Sequence, residues 1–173
     1  MFFKKKCPNC ASNNPTGAKT CTSCGASFDL RRAKNLPESP EEIRDYDQAI
    51  HRNPDSAEAY YKRGFVYQKL GQTERAIADF DKTIRIDPKF AKAYSSRGFA
   101  YLNKEQYKLA IADCTKAIEL DTSDTVARLN RGVAYKLQGD KTRAITDFEK
   151  VINYSDNPQA TKIAKQQIKK LSK

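Results

Sequence analysis

From residue 57 onward the chain repeats itself every 34 residues. The segments "AEAYYKRGFVYQKLGQTERAIADFDKTIRIDPKF", "AKAYSSRGFAYLNKEQYKLAIADCTKAIELDTSD" and "TVARLNRGVAYKLQGDKTRAITDFEKVINYSDNP" stack without a gap over residues 57–90, 91–124 and 125–158. The stack keeps glycine at Gly64, Gly98 and Gly132, tyrosine at Tyr67, Tyr101 and Tyr135, and alanine at Ala76, Ala110 and Ala144. Such a period signals one supersecondary unit that cannot bury its apolar face alone and is therefore stacked on copies of itself. Each unit carries apolar residues at helical steps, interrupted by "LGQ", "NKEQ" or "QGDK". Two antiparallel helices per unit are expected, with the small residues where they cross. Cys114 shares its slot with Phe80 and Phe148, which makes it a small buried apolar residue rather than a ligand or nucleophile.

The same register reaches past both ends. "SPEEIRDYDQAIHRNP" places Ser39 before Pro40 with Glu42 three residues on, the residues of a capping box with a first-turn proline. One period back from Thr83 and Pro88 stand Ala49 and Pro54, so this segment reads as half a unit, its second helix only. At the rear, "QATKIAKQQIKKLSK" gathers Ala160, Ile163, Ala164, Ile168 and Leu171 on one helical face and Lys162, Lys165, Lys169 and Lys173 on the other. A helix over 159–172 would cover the flank of the last unit.

This pattern of aromatic, Gly, Tyr, Ala, Phe and Pro at fixed offsets strongly resembles the tetratricopeptide repeat. Two kinds of position depart from it: the opening aromatic is Tyr60, Tyr94 and then Arg128, and the closing proline is Pro88 but Thr122 in the second unit. The resemblance implies a mainly α fold over 39–173, an α-solenoid of a half repeat, three repeats and a C-terminal capping helix. In that family the second, fifth, ninth and twelfth places of each unit line the concave face. Here these are Glu58, Tyr61, Phe65 and Gln68, then Lys92, Ser95, Phe99 and Leu102, then Val126, Leu129, Val133 and Lys136. The expected floor is apolar with a mixed rim, and inter-repeat packing is the competing use of those side chains. Members that clamp a chaperone's C-terminal carboxylate use Lys and Asn in the first unit, Asn in the second, and Lys and Arg in the third. Tyr61, Phe65, Ser96, Val126 and Asn130 stand at those positions, and only Asn130 has partly suitable chemistry. An extended or helical segment with apolar side chains suits such a groove better.

A charged pair is locked to the period as well: Arg63, Arg97 and Arg131 precede the glycines, and Asp79, Asp113 and Asp147 recur in each second helix. Each arginine comes with its own acid. A brace between helices is the expectation, and a row of arginines reading an acidic ligand is the alternative.

The first 30 residues follow a different logic. Cys7-x2-Cys10 and Cys21-x2-Cys24 are two identical spacings separated by ten residues. Each tight turn aims two sulfurs at one point, and two such turns make the tetrahedral thiolate cage that zinc prefers. Pro8, Gly25 and "NNPTG" are turn chemistry consistent with this. The pattern resembles a short zinc ribbon over residues 1–30, followed by a linker over 31–38. Disulfides or chance crowding are the other readings. Four thiolates leave no open coordination position, so the one expected Zn²⁺ is structural, and so short a segment would depend on it to fold.

Charge is distributed unevenly. Of the formal +11, residues 1–36 carry +6 and residues 159–173 carry +5, residues 37–56 carry −4, and the three units carry +2, 0 and +2. Basic ends suit nucleic acid or an acidic surface as a second class of partner. No phosphate-cradling loop, no nucleophile elbow and no base beside a nucleophile is present, so no enzyme is expected. With a mean hydropathy of −0.78 and no apolar run long enough to span a bilayer, a cytoplasmic protein is expected. The leading reading is a non-enzymatic interaction scaffold with a structural zinc ribbon as a second contact module. The alternative is a factor that touches RNA or DNA through the ribbon and the last helix.

Overall fold

The computed structural model describes residues 41–172, together with the backbone at 5–6 and 13–14. The chain divides into two compact units, Met1–Pro40 and Glu41–Lys173. In the first, strands β1 (Lys5–Lys6) and β2 (Asn13–Asn14) pair antiparallel, Lys5 with Asn14 and Lys6 with Asn13. Cys7, Cys10, Cys21 and Cys24 lie outside the described residues, as do Ser39 and Pro40 of the expected capping box.

The second unit is helical throughout. Helix α1 (Glu41–Arg52) precedes three hairpins: α2 (Ala57–Lys69) with α3 (Thr73–Ile86), α4 (Ala91–Asn103) with α5 (Tyr107–Leu120), and α6 (Thr125–Leu137) with α7 (Lys141–Tyr154). Helix α8 (Pro158–Leu171) closes the array. Each helix packs on its chain neighbour, and the first helices of successive repeats also touch, α4 on α6 and α6 on α8.

Local chemistry explains the boundaries. The Ser56 hydroxyl accepts the Ala59 N–H at the start of α2, and the Asp124 carboxylate accepts the Ala127 N–H at the start of α6, each satisfying a donor the helix leaves free. Asn157 does the same for α8, whose first residue is Pro158, so this helix begins one residue earlier than expected. Between the helices of a hairpin the backbone turns left-handed, at Gly71 (φ 71°) and Gly139 (φ 87°). In the second repeat that conformation falls on Glu105 (φ 59°), where a side chain carries some strain.

The core sits where the helices of a hairpin cross. Ala76, Ala110, Ala144, Phe80, Cys114 and Phe148 are fully buried there. A Cβ on Gly64 would meet the Phe80 ring at 2.9 Å, one on Gly98 would meet Cys114 Sγ at 2.7 Å, and one on Gly132 would meet the Phe148 ring at 2.7 Å. Only glycine allows that approach. Burial pushes the Cys114 thiol up to about 12, as befits a residue standing in for phenylalanine. The rear cluster of Ala144, Phe148, Val151, Ala160 and Ala164 joins α8 to the last hairpin. No helix among the described residues is long and apolar enough to cross a membrane.

Candidate peptide-binding face

The residues expected to face inward have different fates. Phe65 and Phe99, at the ninth place of the first two repeats, are 40% and 37% exposed, and Val126 is 59% exposed. Tyr61 is half-buried, its ring 6.3 Å from Phe65 and 4.9 Å from Phe90. Lys69 lies 4.8 Å from the Phe65 ring centroid, a cation over an aromatic face. Glu58 and Lys92 are exposed. Ser95 and Leu102 are buried, and Leu102 packs with Ala110 and Ala134 across the junction of the second and third repeats. Leu129 and Val133 are partly buried against the rear cluster. Lys136 donates to Gln167 Oε1 of α8 at 2.8 Å. The open apolar surface is thus smaller than the full set of inward places. It runs through Tyr61, Phe65, Phe99 and Val126, with Leu102, Leu129 and Val133 spent largely on packing between repeats.

Two polar atoms on these first helices are buried without a hydrogen-bond partner among the described residues: Gln68 Oε1 and Asn130 Nδ2. Buried polar atoms are nearly always paired, so these two are exceptions within the array. Sequence reasoning picked out Gln68 and Asn130 by register but had no means of finding that they lack partners. It missed Phe90 altogether, because that residue precedes α4 and belongs to no inward place.

The periodic arginines do not serve this face. The Arg63 Nε and Nη2 donate to both oxygens of Asp79 at 2.8 and 2.6 Å, and its Nη1 donates to Asp47 of α1 at 2.6 Å. Arg97 repeats this with Asp113 at 2.7 and 2.7 Å and with Asp81 of the preceding repeat at 2.6 Å. Arg131 forks on Asp147 at 2.8 and 2.7 Å but finds the Thr115 hydroxyl at 3.1 Å in place of the second acid. Asp47, Asp81 and Thr115 are one period apart, so α1 is the second helix of a half repeat. The fork on Asp79, opposed by burial and reinforced by Asp47, holds the Arg63 guanidinium protonated above its ordinary range. Tyr60 and Tyr67 flank it at 5.5 and 5.9 Å. Every arginine of the row is committed, which leaves the brace and removes the ligand-reading alternative.

Family models of the tetratricopeptide repeat match residues 57–90, 91–124 and 126–157. The chain belongs to the tetratricopeptide-repeat family. Among solved structures it is similar to the second such domain of human RPAP3 in complex with the HSP70 peptide SGPTIEEVD, at 35% identity over 66% of this chain and 92% of that one, with a TM-score of 0.60. It is similar to the first such domain of Spaghetti (RPAP3) bound to the HSP90 peptide SRMEEVD, at 28% identity over 67% and 90%, with a TM-score of 0.62. It also resembles MamA, at 26% identity over 83% and 86%, with a TM-score of 0.65. No curated protein matches the chain. Among the described residues no group of three or more His, Cys, Asp or Glu side chains is placed to hold a metal.

Proposed function

We infer that the protein is a non-enzymatic scaffold whose tetratricopeptide repeats hold an extended or helical peptide segment through apolar side chains. The observation that carries this reading is the row of exposed apolar side chains on the first helices: Phe65, Phe99 and Val126, with Tyr61 beside them. Large apolar groups left open at successive inward places are costly unless something covers them. Related domains bind peptides ending in EEVD, whose terminal carboxylates call for cationic partners. Here Tyr61, Phe65, Ser96, Val126 and Asn130 occupy the positions of that clamp, so a ligand with apolar anchors is favoured over an acidic chaperone tail.

Peptide display selection on the full chain tests this. Selected sequences should be apolar rather than EEVD-like. Phe65→Ala and Phe99→Ala should each weaken them about tenfold or more, and raising salt from about 50 to about 200 mM should change little, because apolar burial is weakly screened. Selection of acidic tails, or binding indifferent to both substitutions, would sink the reading. Tight nuclease-sensitive binding with a steep salt dependence, relieved by neutralising Lys4, Lys5 and Lys6 or Lys162, Lys165 and Lys169, would establish the nucleic-acid alternative instead.

The N-terminal unit is read as a zinc ribbon with Cys7, Cys10, Cys21 and Cys24 as ligands of one structural Zn²⁺. Two CxxC spacings support this, as does the antiparallel pairing of β1 and β2 on either side of Cys7 and Cys10. Purified protein should carry about one zinc per chain. A strong chelator should remove it and leave the helical signal of residues 41–172 intact. Metal-free protein with those cysteines paired as disulfides would refute the assignment.

A further inference from the structure

Among the described residues the array opens on α1, which stands at the place of a second helix, and its last helix, α8, stands at the place of a first helix. The two are complementary in detail. Within each repeat the arginine of the first helix forks on an aspartate sixteen residues later, as Arg131 does on Asp147. One period after Arg131 stands Lys165 on α8, and one period before Asp79 stands Asp45 on α1. The cationic half and the anionic half of a further rung therefore sit at opposite ends of the same chain. Neither side chain takes part in an ion pair among the described residues, although the three rungs between them are all closed.

The surroundings match. Helix α8 buries Ala160 and Ala164 toward the last hairpin and leaves Lys162, Lys165, Gln166 and Lys169 exposed on the side that a second helix would cover. Its fourteen residues include no acid. An open cleft of about 500 Å³ runs beside that side, lined by Pro158, Thr161, Lys162, Lys165 and Gln166 among others. On α1 the place of the fully buried Ala76, Ala110 and Ala144 is taken by Glu42, which is exposed, as is Asp45. Asp47 is already engaged by Arg63. Arg44 falls at the outward place of Ala78 and Ala112, both exposed, and so does not oppose the acids.

We propose that this protein associates head to tail with copies of itself, α1 of one copy docking on α8 of the next so that the two helices complete a repeat across the junction. The contact is heterologous, one end meeting the other, and therefore extends or closes a ring rather than stopping at a symmetric dimer. It is looser than a hairpin within the chain, because Gln166 stands at the place of Gly64, Gly98 and Gly132 and keeps the docked helix from close approach. Charge complementarity carries most of the contact, which makes it salt-sensitive.

The test is sedimentation velocity of the full chain against protein concentration at low and high salt. Average mass should rise with concentration at low salt, and added salt should suppress the rise. Lys165→Glu and Asp45→Lys should each weaken association about tenfold or more, since like charges then face each other. An equimolar mixture of the two variants should regain it, because the reversed tail of one meets the reversed head of the other while their remaining ends are unchanged. Both positions are exposed, and retention of the helical signal checks folding; Lys169→Glu with Glu41→Lys gives an independent pair if either variant unfolds, because Tyr67 and Tyr135 meet Arg75 and Arg143 at those places. A wild-type chain that stays monomeric throughout overturns the proposal. So does association that survives both single reversals, or a mixture that fails to restore it.

Discussion

The side of each repeat where its two helices cross is nearly the same three times over, and the side its first helix turns inward is not. At the crossings, Ala76, Ala110 and Ala144 are all fully buried, and the arginine–aspartate forks span 2.6 to 2.8 Å in every repeat. On the inward side Tyr61, Ser95 and Leu129 share a place, as do Phe65, Phe99 and Val133, and Gln68, Leu102 and Lys136. Close crossings tolerate few side chains because an added carbon has nowhere to go, so they specify the fold. The inward side tolerates many, so under the proposed function it is where the choice of partner would be made.

Substitutions on the two sides should separate accordingly. The largest loss is expected for Asp113→Ala, which leaves the half-buried Arg97 with Asp81 alone and should cost about 3 kcal/mol in denaturant unfolding. The exposed Asp47, removed by Asp47→Ala, should cost about 0.5 kcal/mol. Equal losses would mean that the forks are not what braces the hairpins. Next comes Gly98→Val, whose new Cβ would lie 2.7 Å from Cys114 Sγ and 3.3 Å from the Ala110 carbonyl oxygen. About 2 kcal/mol of overpacking follows, read as a lower melting temperature. A shift of a few tenths would break the assignment of this glycine to a crossing.

A smaller effect distinguishes the second crossing from the other two, since there a thiol, Cys114, stands in place of the Phe80 and Phe148 rings. The folded chain keeps the Cys114 proton to about pH 12 while the unfolded chain releases it near 9, so the folded state binds more protons in between. Stability is therefore full below about pH 9 and falls as pH rises through that window, by about 1 kcal/mol at pH 10. The slope of melting temperature against pH between 8 and 10 should flatten in Cys114→Val, whatever that change does to stability itself; unchanged slopes would show a thiol open to solvent. The smallest change in stability belongs to the inward side: Phe65→Ala should alter unfolding by about 0.5 kcal/mol or less while weakening peptide binding. Loss of 2 kcal/mol or more would place Phe65 in the core.

The crossings were legible in the sequence because period, glycine and alanine report a purely local demand that recurs. Even the half repeat could be read, from Ala49 and Pro54 in register with Thr83 and Pro88. The inward side was legible only as a set of places. Whether Leu102 is ligand surface or core depends on Ala134 and Val133 in the next repeat, and Tyr61 is set by a ring at Phe90 that precedes the next helix. Burial of that kind belongs to pairs of repeats, which a pattern within one repeat does not encode. The left-handed turn at Glu105 was hidden for a related reason: "NKEQ" holds no glycine to announce it, and the hairpin imposes the conformation on whatever residue is there.

Because each arginine grips an acid in its own repeat and reaches back to the one before, opening one hairpin disturbs a bond shared with its neighbour. The first two junctions are each closed by a carboxylate, Asp47 and Asp81, whereas the third relies on the Thr115 hydroxyl. A neutral acceptor holds a guanidinium less firmly than a charged one. At that seam the buried cluster of Leu102, Ala110 and Ala134 offsets the lost charge, so amide exchange should show the hairpins protecting one another as one cooperative block.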